Sequence, residues 1–128
     1  MDFPKDLKYT KEHEWVREEG DVVVIGITDY AQDSLGDVVF VELPEEGASL
    51  TASEPFGVVE SVKAVSDLYS PINGTVLEVN DAIVDSPETI NDDPYGEAWM
   101  LKVEPADKSE LKDLLSADEY KAYVEEEK

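Results

Sequence analysis

Cysteine is absent from the 128-residue chain, so no disulfide framework, thiolate nucleophile or cysteine metal site can be written. Any thiol chemistry has to arrive with a cofactor. Histidine occurs once, as His13, which excludes a multi-histidine metal site and leaves little for acid/base catalysis near neutral pH. Positive charge is scarce too: 10 Lys and Arg stand against 32 Asp and Glu, for a formal charge of −22. That balance repels phosphate backbones and anionic lipid, so neither nucleic acid nor membrane is an expected partner. Its ordinary meaning is solubility, in a salty cytoplasm for instance, and its functional meaning is a preference for basic partner surfaces. No apolar run is long enough to span a bilayer. The segment Met1 to Asp6 is acidic and lacks an apolar stretch, which argues against a signal or transit peptide and makes the cytoplasm the expected location.

What remains is enough for one folding unit, residues 1–128, expected as a monomer. Apolar residues make up 41% and charged residues 33%, so the composition is globular, with only Glu125 to Lys128 expected to fray. His13 to Arg17 and Asp21 to Ile27 are β-prone runs separated by Glu18-Glu19-Gly20, a hairpin pattern. Thr28 is placed to cap a short helix over Asp29 to Leu35, with Gly36 as its stop. Asp37 to Leu43 reads as a strand ended by Pro44. The apolar stretch Phe56 to Val65 is followed by Leu68 to Ile72, the turn pair Asn73-Gly74 and the strand Thr75 to Val79, a meander. Asp85 to Gly96, with Pro87 and Pro94, predicts a surface loop carrying at most a helical turn. Trp99 to Val103 predicts a last strand. In the tail, Ser109 is placed to cap a turn through Leu115, and Ser116 with Glu119 forms a capping-box pattern ahead of Tyr120 to Glu127. Gly36 to Val41 and Gly74 to Val79 both read Gly-x-Val-x-x-Val. By itself that echo reads as chance, although two such units flanking a central hairpin would also build a quasi-symmetric flattened barrel.

One residue breaks the central run Val58-Val59-Glu60-Ser61-Val62-Lys63-Ala64-Val65. Lys63 is an isolated amine among valines, and it must either face solvent at a turn or lose its charge. Pattern alone favours an ordinary exposed lysine.

Several further strings lie in a fixed order: His13-Glu14-Trp15-Val16, Ile25-Gly26-Ile27-Thr28, Leu35-Gly36-Asp37-Val38-Val39-Phe40-Val41-Glu42-Leu43-Pro44, Val59-Glu60-Ser61-Val62-Lys63-Ala64, Ser70-Pro71-Ile72-Asn73-Gly74 and Asn91-Asp92-Asp93-Pro94-Tyr95-Gly96. Together they resemble the H protein of the glycine cleavage system over nearly the whole chain. The resemblance implies a mainly β fold, a flattened barrel-sandwich hybrid of the lipoyl/biotinyl type with a short helix in the N-terminal half and helices at the C-terminus. It also implies a non-catalytic carrier with lipoic acid joined by an amide to Lys63, which removes the lysine's charge and brings the sulfurs the chain lacks. The implied partners are a pyridoxal-phosphate glycine decarboxylase, a tetrahydrofolate-dependent aminomethyltransferase, a dihydrolipoamide dehydrogenase using FAD and NAD, and a lipoate ligase or lipoyl/octanoyl transferase. Glu60 is implied in recognition by the last of these, and Glu14 and Asp67 in docking the aminomethyl end of the arm. Family members carry a histidine in some cases where this chain has Ser34, and Glu12 need not match.

Other readings fit less well. Biotin carriers resemble Met-Lys-Met at the tip, whereas Val62 and Ala64 flank Lys63. Lipoyl domains of 2-oxoacid dehydrogenases resemble Asp-Lys-Ala and continue into Ala/Pro-rich linkers that do not appear. A hydrolase built on Glu45 and Glu46, or on Asp92 and Asp93, lacks any pattern that sets two carboxylates across a substrate. The alternative that keeps lipoate is a relay scaffold that passes the lipoyl group to other acceptors.

Overall fold

The computed structural model describes residues 1–127. Strands β1 (Lys8–Tyr9), β2 (Glu14–Glu19) and β3 (Val22–Ile27) pair antiparallel in that order. They belong to a six-stranded sheet completed by β9 (Leu101–Pro105), β8 (Gly74–Val79) and β5 (Ser49–Leu50). A separate three-stranded sheet holds β4 (Val38–Glu42), β6 (Pro55–Ser61) and β7 (Val65–Tyr69), with β6 central. Val16, Val23 and Ile25 of the first sheet share one buried cluster with Val38, Val41, Val59 and Leu68 of the second, so the sheets pack face to face as the expected flattened sandwich. They share no strand and do not close into a barrel.

The continuous apolar run Val22 to Ile27 follows from burial on both faces. Val23 and Ile25 point into the sandwich, while Val24 joins Tyr9 and Trp15 on the opposite face. That outer face is covered by α4 (Ala117–Glu127) through Ala117, Tyr120 and Val124. The reciprocal hydrogen bonds of a capping box start this helix: Glu119 N–H donates to Ser116 Oγ at 3.2 Å and Ser116 N–H to Glu119 Oε1 at 2.9 Å. It runs on to Glu127, past the point where fraying was expected, and Lys128 lies outside the described residues. Helix α1 (Asp29–Leu35) begins at Thr28, whose hydroxyl accepts from Ala31 N–H at 3.1 Å, and stops at Gly36, where φ is +78°.

Four expectations change. The Gly-x-Val-x-x-Val echo has a structural cause, because both strands carry an irregularity at the same place, between Val38 and Phe40 in β4 and between Val76 and Glu78 in β8. In a regular strand residues three apart face opposite ways; the extra residue, Val39 or Leu77, is extruded to solvent and lets both valines of each motif meet the core. Asn73-Gly74 is not a hairpin turn: β7 and β8 lie in different sheets, and Gly74 has no positive φ. The Asn73 side chain instead accepts from Ala52 N–H and donates to Glu110, fixing the crossing between sheets. A short helix, α2 (Asp81–Asp85), forms where none was expected, whereas the expected loop Asp85 to Gly96 carries the single helical turn α3 (Thr89–Asp92), as read. The turn after β9 is a 3-10 helix over Lys108–Asp113, and Asp107 caps it by accepting from Ser109 N–H, two residues before the serine expected to do so.

Candidate functional site

Between β6 and β7 the pairing Glu60↔Val65 leaves Ser61 to Ala64 as the turn, which splits the apolar stretch Phe56 to Val65 into two strands. One side chain organises it. Ser61 Oγ accepts from Ala64 N–H at 3.1 Å and Lys63 N–H at 3.3 Å, while Ser61 N–H donates to the Ala64 carbonyl at 2.8 Å. Val62 N–H donates to the Asp37 carbonyl at 3.0 Å, which fastens the turn to the start of β4. Lys63 is exposed at this turn and its Nζ has no hydrogen bond or ion pair among the described residues. Its stem runs past Gly36, where a Cβ would sit 3.3 Å from Lys63 Cε. Gly36 is thus needed for its positive-φ backbone, while the lysine stem beside it is exposed and free to yield. Asn91 holds this corner in place: its side chain accepts from Val38 N–H at 2.9 Å and donates to the Gly36 carbonyl at 2.8 Å. Glu60 stands half-buried across the strands from Phe40 and Val65, beside the turn and separate from the cleft described next.

A cleft of about 140 Å³ opens next to the hairpin. Asp67 lies three residues beyond Ala64, so strand geometry puts the cleft within roughly 10 Å of the turn. Its apolar lining comes from Ile27, Ala31, Leu35, Val59 and Leu68; its polar groups are Glu12, His13, Glu14, Ser34, Ser66 and Asp67. The cleft therefore brings Glu14, Asp67 and Ser34 together, with Lys63 at its approach.

Glu14 and Asp67 differ in kind. Asp67 is exposed and has no ion pair among the described residues. Glu14 is 2% exposed; one carboxyl oxygen accepts from the Thr10 hydroxyl at 2.7 Å and the other from Tyr69 N–H at 3.3 Å. Burial pushes its pKa up to about 8, against the downward pull of both hydrogen bonds. At neutral pH burial thus keeps Glu14 mostly as the neutral acid, and a cation beside it would favour the ionised form. Among the described residues no group of His, Cys, Asp and Glu is arranged to hold a metal ion. A larger depression of about 660 Å³ along Phe40 to Glu46, Val79 and Val84 contains neither Lys63 nor any cleft residue. Sequence reasoning missed Ser61 as the turn's organiser, although a serine two and three residues before the N–H groups it binds is a local turn signal, and it missed Thr10, four residues from Glu14; Tyr69 meets Glu14 through a contact that only the fold creates.

The chain matches the family model described as Glycine cleavage H-protein over residues 7–127. It is 64% identical to the glycine cleavage system H protein of Geobacillus kaustophilus, across 98% of this chain and 99% of that one. A probable glycine cleavage system H protein of Haloarcula marismortui is 61% identical, across 98% of each chain. The crystal structure of a glycine cleavage system H protein from Mycobacterium marinum superposes with a TM-score of 0.85 at 47% identity, covering 91% of this chain and 94% of that one.

Proposed function

The chain belongs to the glycine cleavage H-protein family, a family of lipoyl carriers without catalytic activity, and we propose that its carrier function runs through an amide between Lys63 and lipoic acid. The observation that carries this reading is one arrangement: a free lysine amine at an exposed hairpin turn beside a narrow, largely apolar cleft with three carboxyls, Glu12, Glu14 and Asp67, in its wall. When bound, the lipoyl group supplies the dithiolane on which the aminomethyl group of glycine is carried. The chain's own residues do the rest. The Ser61 turn presents the amine, and Glu60 offers an acidic mark for the attaching enzyme, a lipoate ligase or lipoyl/octanoyl transferase. Ile27, Leu35 and Leu68 exclude water from an apolar arm. Glu14 and Asp67 receive a protonated amine through charge-assisted hydrogen bonds.

On this reading the partners are the glycine decarboxylase, the aminomethyltransferase and the dihydrolipoamide dehydrogenase of the same system, met in the cytoplasm by a monomeric carrier. No helix among the described residues is long and apolar enough to cross a membrane. The test is intact mass after incubation with the attaching enzyme, followed by glycine-dependent carbon dioxide release with the three partners. Wild type gains one lipoyl mass and supports release. Lys63→Arg stays folded, since the side chain is exposed and remains cationic, but gains no mass, because a guanidinium is not a usable acyl acceptor. Lipoyl mass retained by that variant would refute the attachment site.

A further inference from the structure

Besides the wall from β6 and β7 (Val59, Ser66, Asp67 and Leu68), the cleft has two walls, the segment opening β2 through His13 and Glu14, and helix α1 through Ala31, Ser34 and Leu35. One atom of another element touches the supports of these two. The Tyr120 hydroxyl, from α4, lies 2.8 Å from His13 Nδ1 and 2.8 Å from the Thr28 hydroxyl. Thr28 is the cap of α1, and its own N–H donates to the His13 carbonyl at 3.1 Å. The donors run consistently in one direction with a neutral imidazole. Thr28, already accepting from Ala31, donates to Tyr120; Tyr120 donates to His13 Nδ1; and His13 Nε2–H donates to Glu127 Oε2, 3.2 Å away. Tyr120 is fully buried and stacks on Tyr9 with ring centroids 4.7 Å apart, which fixes where its hydroxyl stands. His13 keeps a φ of +71°, a left-handed backbone that a non-glycine residue holds only where its surroundings over-determine it.

Building on the reading that the arm docks in this cleft, we propose that Tyr120 is a positioning residue whose hydroxyl rivets these two cleft walls together and so sets how well a loaded arm is shielded from water. The C-terminal helix then does more than cover a sheet.

Tyr120→Phe tests this directly, because it keeps the ring and the stack and removes only the rivet. In the unmodified protein, amide exchange at Thr28 and Ala31 should quicken about fivefold relative to the β8–β9 pair, the factor that accompanies loss of an ordinary hydrogen bond. In aminomethyl-loaded protein without the transferase, ammonia release should rise by about the same factor. Val124→Ala controls for stability: Val124 is a buried residue of the same helix, so the variant lowers the melting temperature but leaves release at the wild-type rate. Unchanged exchange and release in Tyr120→Phe, or equal acceleration in Val124→Ala, overturns the proposal. Wild-type release as fast as from a loaded lipoyl-lysine peptide would overturn the docking reading and the shielding role with it; that outcome is recognisable because the exchange difference at Thr28 and Ala31 persists.

Discussion

A carboxyl that is 2% exposed yet accepts two hydrogen bonds is pulled in two directions, and at Glu14 burial wins. Its pKa rises from an ordinary 4.5 to about 8, so between those values the folded chain binds a proton that the unfolded chain releases. The folded state's advantage is therefore whole below pH 4.5 and declines as pH climbs toward 8. Glu14→Gln removes the titration and keeps the shape, with the Thr10 hydroxyl free to turn and accept from the new amide. The melting temperature of wild type should fall relative to Glu14→Gln between about pH 4.5 and pH 8 and level off above it, as followed by thermal melts in matched buffers. A constant gap across that range would mean that Glu14 ionises in the folded protein as it does in water. The two key residues of the site were unequally legible in the sequence. Lys63 was a lone charge among valines that only the family resemblance raised above an ordinary exposed lysine, whereas a strand-opening Glu beside Trp15 gives no sign that Tyr69 will meet it, since Tyr69 arrives from a strand 55 residues away.

At the scale of elements, the strands and α1 were legible because alternation and capping are local, and the misreadings came where two sheets meet. Asn73-Gly74 has the composition of a tight turn, but the chain there leaves one sheet and enters the other. Gly74 is required for a different reason: a Cβ would stand 2.5 Å from the Glu104 carbonyl oxygen and 2.7 Å from Val103 Cγ1, in the β8–β9 pair. Backbone is the nearer obstacle, so the clash cannot be relieved by a rotamer. Gly74→Val should cost about 3 kcal/mol or more in urea unfolding, with the protein that does fold taking up lipoate normally, because the Lys63 hairpin belongs to the other sheet. Full stability in that variant would show that β8 and β9 separate more easily than their packing implies. The paired bulges teach the complementary lesson. Val38 and Val41, like Val76 and Val79, sit three apart, a spacing that contradicts a regular strand, and that contradiction was itself the sequence signal for the bulge.

At the scale of the molecule, charge acts on folding and on association with opposite signs. Of 32 acidic residues, the ion pairs with Lys or Arg among the described residues engage Glu18, Glu19, Asp21 and Glu78, so most of the negative charge has no neighbouring cation and repels itself. Salt shortens the range of that repulsion from about 30 Å at 0.01 M to about 3 Å at 1 M. Raising sodium chloride over this interval should therefore lift the melting temperature by several degrees, by roughly the shift expected of 1 to 2 kcal/mol in a chain of this size. The same screening weakens steering toward a basic partner face, so the association rate with any partner enzyme should fall as stability rises. Measuring both in one salt series separates electrostatics from nonspecific solvent effects, because a general strengthening of burial would raise stability without slowing association. Melting temperatures that stay flat from 0.01 to 1 M would mean that the acidic surface is spread thinly enough for water alone to mask it, leaving the charge with no measurable part in the fold.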